Sequence, residues 1–520
     1  MMTADLLVQP YTLAQLLPDQ ELGAAAEIQL SGLALDTRKL AAGDVFIAVP
    51  GTKADGREFI DQALGLGAAA VVAEAEEAGV EWRGSVPVVF VPQLSASVSA
   101  LAARFYRDPS AEMRVTGVTG TNGKTSCSLL LGQLCAHLRG KAMVLGTLGN
   151  GLLVADSNQS MSQQIAQFES TGLTTADPIA VQRALADARD KGVHSLAMEV
   201  SSHSLAQGRV AAVHFDCAIF TNLTQDHLDY HGDMESYGQA KERLLHMPGL
   251  RCALINTDDP WARKLSAKAP VSVNCYTYSL LDPAASIHAR DYEFTSEGIS
   301  ARVVTPWGEG ELRSRLLGVF NLSNLLAVIG AACLRGVPLA DVLAKVPLLE
   351  PAPGRMQAVV LEQSEQDVGV VVDYAHTPDA LEKCLSALRG HTSGRLWVIF
   401  GCGGDRDKTK RPLMGRIAER MADYVIVTND NPRSEEPAVI AADILRGMYN
   451  SHGCLVIADR AQAIDLAVQQ ARPGDLVVIA GKGHEDYQIF ATQTLPFSDI
   501  KQARLSLQRR LARNNSEGRS

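Results

Sequence analysis

The chain has 520 residues, 46% hydrophobic and 20% charged, with a formal net charge of −10. At ~100–200 residues per domain this length makes about three domains, each able to bury its own core. The acidic balance and the lack of a basic tract speak against nucleic acid as a partner.

No uncharged apolar run reaches ~18 residues and no basic-then-apolar leader opens the sequence, so a cytoplasmic protein without membrane insertion is expected. The nine cysteines (127, 135, 217, 252, 275, 333, 384, 402 and 454) include no C-x-x-C pair, which argues against zinc and redox motifs and for reduced thiols.

Residues 1–107 read as a small α/β domain. A short helix is expected at 11–17 and strands at 33–35, 45–49, 71–72 and 88–91. Further helices are expected at 59–66 and from an N-cap at Ser95 to Tyr106. Gly51-Thr52-Lys53-Ala54-Asp55-Gly56 is a polar glycine loop before a helix. Such a loop suits an anionic ligand, but more often it is a plain turn. Asp108-Pro109-Ser110 marks a boundary.

Residues 108–350 are organised around Thr116–Ser126, T-G-V-T-G-T-N-G-K-T-S. A short β run precedes it, and an apolar helical run from Ser126 to Leu138 follows, stopping at Gly140. Strand, glycine loop and helix in that order are what a phosphate-binding loop requires. Backbone N–H groups of Gly120, Thr121, Asn122 and Gly123 turn toward phosphate oxygens, and the helix N-terminus adds its positive end. Lys124 can reach the outer phosphates and the Thr125 hydroxyl can ligate Mg²⁺. Val118 stands where the general G-x-x-x-x-G-K-[ST] pattern has its first Gly.

Apolar strands at 142–145, 195–200, 215–220 and 252–255 alternate with helical stretches such as 178–191, which predicts a parallel sheet covered by helices. Between 271 and 316 the pattern turns to short antiparallel-like segments, and 320–333 reads as a helix. Glu199, at a strand end in the sheet of the phosphate loop, is placed for a metal contact. The run Phe220–Gly232 is too rich in His and Asp for a casual loop, and one of its imidazoles could ligate a metal. Lys241, by its residue pattern alone, is an exposed helix lysine.

Residues 351–520 follow the stiff linker Glu350-Pro351-Ala352-Pro353-Gly354. Strands at 370–372, 396–400, 424–427 and 476–479, separated by helices such as 380–388, predict a doubly wound, Rossmann-like sheet. Polar motifs follow each strand: Asp373–Ala380, Gly401–Asp407, Asn429–Pro437 and Gly481–Tyr487. Arg406 and Arg433 suit bidentate carboxylate recognition and Glu485 an ammonium group, so this edge suits a zwitterionic amino acid. Residues 514–520 are polar and expected to be disordered. The fold class is therefore α/β in three domains: a central P-loop parallel sheet flanked by a small N-terminal α/β domain and a C-terminal Rossmann-like domain.

These motifs, with A-M-E-V-S-S-H (197–203), F-T-N-L-T-Q-D-H-L-D-Y-H-G (220–232), G-x-F-N-x-x-N (318–324), P-G-R-M-Q (353–357), D-Y-A-H-T-P-D-A-L (373–381) and G-K-G-H-E-D-Y-Q (481–488), occur in the order found in the Mur ligases. The chain resembles that family, the ATP-dependent amide-forming enzymes of bacterial peptidoglycan synthesis, over nearly its whole length. D-N-P-R (430–433) is similar to the signature of the member that adds meso-diaminopimelate to UDP-N-acetylmuramoyl-L-alanyl-D-glutamate.

The resemblance implies ATP and Mg²⁺ as cofactors. Gly120 through Ser126 would hold the phosphates, and Asn321, Asn324, Arg355 and Asp373 would contact the nucleotide. Thr125, Glu199, His227 and a CO₂-carbamylated Lys241 would hold the metal, and Lys124, Glu199, His227 and Lys241 would form the catalytic set. Leu35, Thr37, Thr52, Lys53 and Ala54 match the uridine-nucleotide pocket, and Thr174, Thr175, Ser201, Gln207 and Arg209 the muramoyl-dipeptide contacts. Arg406, Asp430, Asn431, Pro432, Arg433, Gly481 and Glu485 match the diaminopimelate pocket. A monomer is expected. The alternatives are a lysine-adding relative, a folylpolyglutamate synthetase-like ligase, and a nucleotide-binding regulator without turnover.

Overall fold

A computed structural model describes residues 11–51, 54–295, 298–361 and 366–517. The described residues fall into two compact units, neither contiguous in sequence. One takes residues up to 128 with 139–157 and 167–276, and the other takes 129–138, 158–166 and 277 onward.

The first unit begins with a five-stranded sheet in the order Gly32–Ala34, Asp44–Ala48, Ala70–Glu74, Val86–Val91, Gly79–Arg83. The first four strands are parallel and the last is antiparallel. The inner strands are apolar on both faces, as a sheet covered on both sides demands. Val45, Ile47, Val72 and Val89 pack with Leu94, Val98 and Leu101, whereas Phe46, Ala48, Val71 and Val88 pack with Ile60 and Ala63. The edge strand Gly79–Arg83 has no buried residue, which is why no hydrophobic pattern announced it. Ser95 is not an N-cap. Its helix, Leu94–Phe105, starts after a left-handed Gln93 (φ +53°), and the Glu74 carboxylate takes the Ser95 N–H in the role a cap would fill.

The second sheet of this unit runs Gly149–Val154, Lys141–Gly146, Ser195–Glu199, Arg114–Thr119, Cys217–Phe220, Cys252–Asn256. All are parallel except the Gly149–Val154 edge. Glu199 is in register with Val118, and Phe220 with Thr119. Three strand ends therefore stop level with the phosphate loop. Beneath it Val115, Leu196, Met198, Phe215, Ala218 and Phe220 fill a continuous core.

In the second unit, strands Ile287–Thr295, Gly298–Thr305 and Gly308–Ser314 form an antiparallel meander, followed by helices Val319–Leu334 and Leu339–Lys345. The other sheet has the order Gln357–Ala358, Gly369–Asp373, Leu476–Ala480, Leu396–Phe400, Tyr424–Val427, Leu455–Val456. Only the first pair is antiparallel. Val371, Val398, Val427 and Val478 face one core, and Val370, Val372, Ile399, Ile426 and Ile479 the other. Register pairs Asp373 with Ala480 and Phe400 with Val427, so the polar motifs after these strands share one edge.

The final helix, Asp499–Glu517, includes residues 514–517 of the polar stretch 514–520 expected to be disordered; 518–520 lie outside the described residues. Arg510 explains the difference. Its guanidinium binds both oxygens of Asp367 (2.8 and 2.6 Å) and the Val468 carbonyl (2.7 Å), tying the helix to the sheet.

Near the helix start, Arg460 and Asp499 form a fully buried two-point ion pair at 2.7 and 2.7 Å, and Arg460 also donates to the Ala480 carbonyl at 2.9 Å. Removing one partner strands a buried charge. Asp499→Ala is therefore expected to cost about 3–5 kcal/mol in urea unfolding, and the double replacement Arg460→Met/Asp499→Leu distinctly less. Equal losses in the two proteins would refute this account.

Candidate active site

The phosphate loop is built by backbone geometry. Gly120 (φ +150°) and Gly123 (φ +84°) take conformations that L side chains rarely adopt, and a Cβ on Gly120 would overlap the Thr221 hydroxyl. The loop is clamped by the segment after strand Cys217–Phe220. The Asn122 N–H donates to Asn222 Oδ1 (2.9 Å), the Thr221 hydroxyl to the Asn122 carbonyl (2.6 Å), and the Thr224 N–H to Thr121 Oγ1 (3.0 Å). Helix Lys124–Arg139 opens with Lys124, Thr125 and Ser126. Lys124 Nζ donates to the carbonyls of Gly120 and Thr121, both at 2.8 Å.

Glu199 is 1% exposed. Its carboxylate accepts the Thr125 hydroxyl (3.0 Å), the Thr147 N–H (2.8 Å) and the Thr147 hydroxyl (3.0 Å). Burial raises its carboxyl pKa, opposed by Lys124 and these hydrogen bonds. Thr147 was not singled out in the sequence. It follows strand Lys141–Gly146, and the preceding Gly146 is the available signal, because a Cβ there would run into the Glu199 carboxylate.

Lys241 is 1% exposed, contrary to its reading as an exposed helix lysine. Helix Met234–Glu242 turns Tyr237, Gly238, Ala240 and Lys241 inward. Lys241 Nζ donates to the Gly120 carbonyl (2.8 Å) and lies 4.4 Å from the Tyr237 ring centre. Burial first, and then the Lys124 charge, hold its ammonium well below the usual lysine pKa.

His227 is exposed and left-handed (φ +53°), with its ring centre 4.8 Å from that of His203. His203 also packs against Tyr230 at 4.2 Å, and His231 is hydrogen-bonded to the Ser202 hydroxyl (3.0 Å). Burial and neighbouring imidazoles lower the pKa of His203 and His231.

Among the described residues no group of three or more His, Cys, Asp and Glu side chains forms a ready metal cage. The oxygens of Thr125 and Glu199 nevertheless fit a hard cation that takes its remaining ligands from phosphate and water. Positive charge there would offset the burial of the carboxylate.

A hydrogen-bonded chain leads from Glu199 to a cleft in the same unit. Thr175 Oγ1 donates to the Glu199 carbonyl (2.9 Å) and accepts the Ser201 N–H (3.1 Å), and the Thr174 and Thr147 hydroxyls lie 3.2 Å apart. Arg209 donates to the Thr175 carbonyl (2.9 Å) and to Gln207 Oε1 (2.8 Å). Gln207 and Arg209 line a cleft of about 700 Å³ together with Leu35, Thr37, Arg38 and Ala54. Thr52 and Lys53 lie outside the described residues.

In the second unit, Asn321 and Asn324 are buried on helix Val319–Leu334, with Asn321 Nδ2 donating to the Leu317 carbonyl (2.8 Å). Asp373 is buried, accepts the N–H groups of Met356 (2.7 Å) and Ala375 (2.9 Å), and has its pKa raised by burial. The Arg355 guanidinium lies 4.8 Å from the Tyr374 ring centre.

The other polar strand ends converge. Asn431 Nδ2 donates to Glu485 Oε2 (3.0 Å), and Lys482 Nζ donates to Asn431 Oδ1 (3.1 Å) and Glu485 Oε2 (3.0 Å). A Cβ on Gly481 would meet Asp430 Oδ2 at 2.7 Å. Pro432 is buried, and Arg433 (φ +53°) donates to the Gly404 carbonyl (2.8 Å). Arg406 is exposed. Lys482, fully buried and assigned no role by its sequence motif, already supplies Glu485 with an ammonium partner.

Comparison with known proteins bears on the family. Family models match at residues 29–106 (Mur ligase family, catalytic domain), 118–332 (Mur ligase middle domain) and 354–483 (Mur ligase, glutamate ligase domain). A UDP-N-acetylmuramoyl-L-alanyl-D-glutamate–2,6-diaminopimelate ligase of Pseudomonas aeruginosa is 49% identical over 498 residues, covering 96% of this chain and 98% of that protein. The chain belongs to the Mur ligase family.

A ligase of the same name from Coxiella burnetii is 45% identical over 499 residues, covering 95% of this chain and 99% of its own. A solved structure under that name has 36% identity and a TM-score of 0.73, covering 96% of this chain and 99% of its own. As a Mur ligase, the chain is an ATP-dependent amide ligase.

The phosphate loop of this Mur ligase has no room for a side chain at Gly120. Gly120→Ala should weaken ATP binding by about tenfold or more in calorimetry. Wild-type affinity would show that the clamp on Thr221 is dispensable.

Proposed function

We propose that this Mur ligase joins meso-diaminopimelate to UDP-N-acetylmuramoyl-L-alanyl-D-glutamate in the cytoplasm, forming ADP and phosphate, during synthesis of the peptidoglycan precursor. The observation that carries this reading is the near full-length relatedness, at 45–49% identity, to ligases of that name. The D-N-P-R run at 430–433 supports the choice of amino acid.

The reaction follows from the chemistry of the groups. The γ-carboxylate of the dipeptide's D-glutamate attacks the γ-phosphorus of ATP in line, ADP leaves, and an acyl phosphate forms. The amine of diaminopimelate then attacks the acyl carbon, phosphate leaves, the amine loses a proton, and the amide remains. The N–H groups of Gly120 and Gly123, with Lys124, would face the transferring phosphoryl group, while those of Thr121 and Asn122 are held by Asn222; Thr125 and Ser126 stand at the helix start. Thr125, Glu199, His227 and a carbamylated Lys241 would hold Mg²⁺, which when bound supplies neutralising charge for phosphate oxygens. Asn321, Asn324, Arg355 and Asp373 would contact the nucleotide. The cleft lined by Leu35, Thr37 and Ala54 would take the uridine nucleotide, and the chain from Thr174 and Thr175 through Ser201, Gln207 and Arg209 the muramoyl dipeptide.

Residues 1–107, 108–350 and 351–520 act as three parts in this reading. The last part closes about the linker 350–354 to deliver the amine. Arg406 and Arg433 would take the carboxylates of diaminopimelate. Its ammonium group would meet Glu485, with Asp430, Asn431, Pro432 and Gly481 shaping the pocket.

Two assays test the reading. Phosphate release should require both dipeptide and meso-diaminopimelate and should not occur with L-lysine. Arg433→Ala should lower kcat/KM for diaminopimelate by about 10²-fold, the scale of an unpaired buried charge contact. Turnover with lysine in its place would discard the amino-acid assignment while keeping the ligase.

Carbamylation needs the neutral amine, and an amine whose pKa lies well below the usual value reaches that state at lower pH than an exposed lysine. ¹³C-bicarbonate should therefore give a carbamate resonance that Lys241→Arg lacks, and Lys241→Ala should lower kcat by roughly 10²–10³-fold. Full activity after removal of CO₂, without such a resonance, would rule the modification out.

A further inference from the structure

Gln133 lies nine residues after Lys124 on helix Lys124–Arg139, about 13 Å along its axis at 1.5 Å per residue. It is 0% exposed. Its carboxamide bonds twice to the backbone of Glu350, 217 positions away in sequence. The Glu350 N–H donates to Gln133 Oε1 at 2.8 Å, and Gln133 Nε2 donates to the Glu350 carbonyl at 2.9 Å. The side chain thus pairs with residue 350 as a neighbouring strand would.

The Glu350 carboxylate is held as well. It accepts the Ser162 N–H at 2.9 Å and the Ser162 hydroxyl, both at the start of helix Met161–Ile165. Glu350 is the residue before Pro351-Ala352-Pro353-Gly354. Its own N–H and C=O have no ladder to join, and Pro351 offers no N–H beyond it. An amide presents a donor and an acceptor side by side to satisfy both groups, whereas a carboxylate has no donor and a thioether has only a weak acceptor.

We propose that Gln133 is a positioning residue that pins the start of the linker to the helix whose first turn carries Lys124 and Thr125, so that the swing of residues 351–520 begins after Glu350 and from a fixed point. The pin rests on the reading that these residues close during the reaction. It acts on the amide-forming step, not on substrate binding. Ser162 completes the pin from the other side of Glu350.

The test compares full-length wild type with Gln133→Met, which keeps length and removes both bonds, and Gln133→Glu, which sets an acceptor against the Glu350 carbonyl. Steady-state kinetics are read with hydrogen exchange of peptides covering 346–352 and 119–130. Both variants should lower kcat about tenfold, change KM for ATP and dipeptide less than about twofold, and speed exchange at 346–352 while leaving 119–130 unchanged. A general packing defect would move both peptides and both KM values, and that result overturns the proposal. Wild-type kcat with wild-type exchange at 346–352 overturns it too.

If neither Gln133 variant folds, Ser162→Ala decides. It keeps the buried amide and should give a smaller loss of kcat in the same pattern, with faster exchange at 346–352. Unchanged exchange there refutes the pin. Absence of turnover in the wild type would instead fail the proposed reaction, and the exchange comparison would still judge the pin by itself.

Discussion

Two ammonium nitrogens, those of Lys124 and Lys241, each lie 2.8 Å from the same oxygen, the carbonyl of Gly120. Most of the first unit's chemistry depends on that crowding. The carbonyl can face both lysines because Gly120 adopts a conformation closed to other residues. Burial first, and then the Lys124 charge across the same oxygen, hold the Lys241 ammonium well below the usual lysine pKa. Loop geometry and the chemistry open to Lys241 are thus one constraint. Anything that moved Gly120 would disturb both the phosphate cradle and the carbonyl to which Lys241 donates.

What the sequence made legible followed from where such folds place chemistry. The phosphate loop, Glu199 and the four motifs of the last sheet all lie just past apolar strands, and their glycines, acids and arginines stand out against the strands before them. The structure brings these ends level by register. Lys241 was not legible in the same way. Its helix is short and mixed, and the inward face of Tyr237 and Lys241 is defined by the loop it covers rather than by hydrophobic spacing. Thr147 was hidden for a related reason, since one exposed threonine after a strand has no pattern, and only the lack of space at Gly146 betrays the carboxylate beside it. The edge strands Gly79–Arg83 and Leu455–Val456 escaped because they bury nothing.

The second unit holds its polar edge rigid with buried ions. Arg460 and Asp499 secure the Ala480 carbonyl just before Gly481. Arg411, 0% exposed, binds Glu435 at 2.9 Å and Asp443 at 2.9 Å, which fixes the segment after Arg433, and the same guanidinium holds the Gly403 carbonyl at 3.2 Å. Lys482 draws Asn431 and Glu485 together. Arg411 joins the segment after Leu396–Phe400 to that after Tyr424–Val427, and Lys482 joins the latter to that after Leu476–Ala480. Buried ion pairs contribute little net stability compared with apolar packing, so their value here is geometric. They fix loops whose own backbones, left-handed at Asp405 and Arg433, would otherwise have several conformations available.

The same logic extends to Gln133 and Glu350. A buried glutamine adds no more stability than a packed leucine would, and it loses rotamer freedom to hold its amide in one plane. What it gains is a fixed partner for a peptide group that two nearby prolines deprive of any regular one. The sequence around the linker shows stiffness, in Pro351 and Pro353, but stiffness alone does not say where a segment is held. That information sits 217 residues upstream, in an amide on the phosphate-loop helix, and it becomes readable only when the fold sets the two side by side.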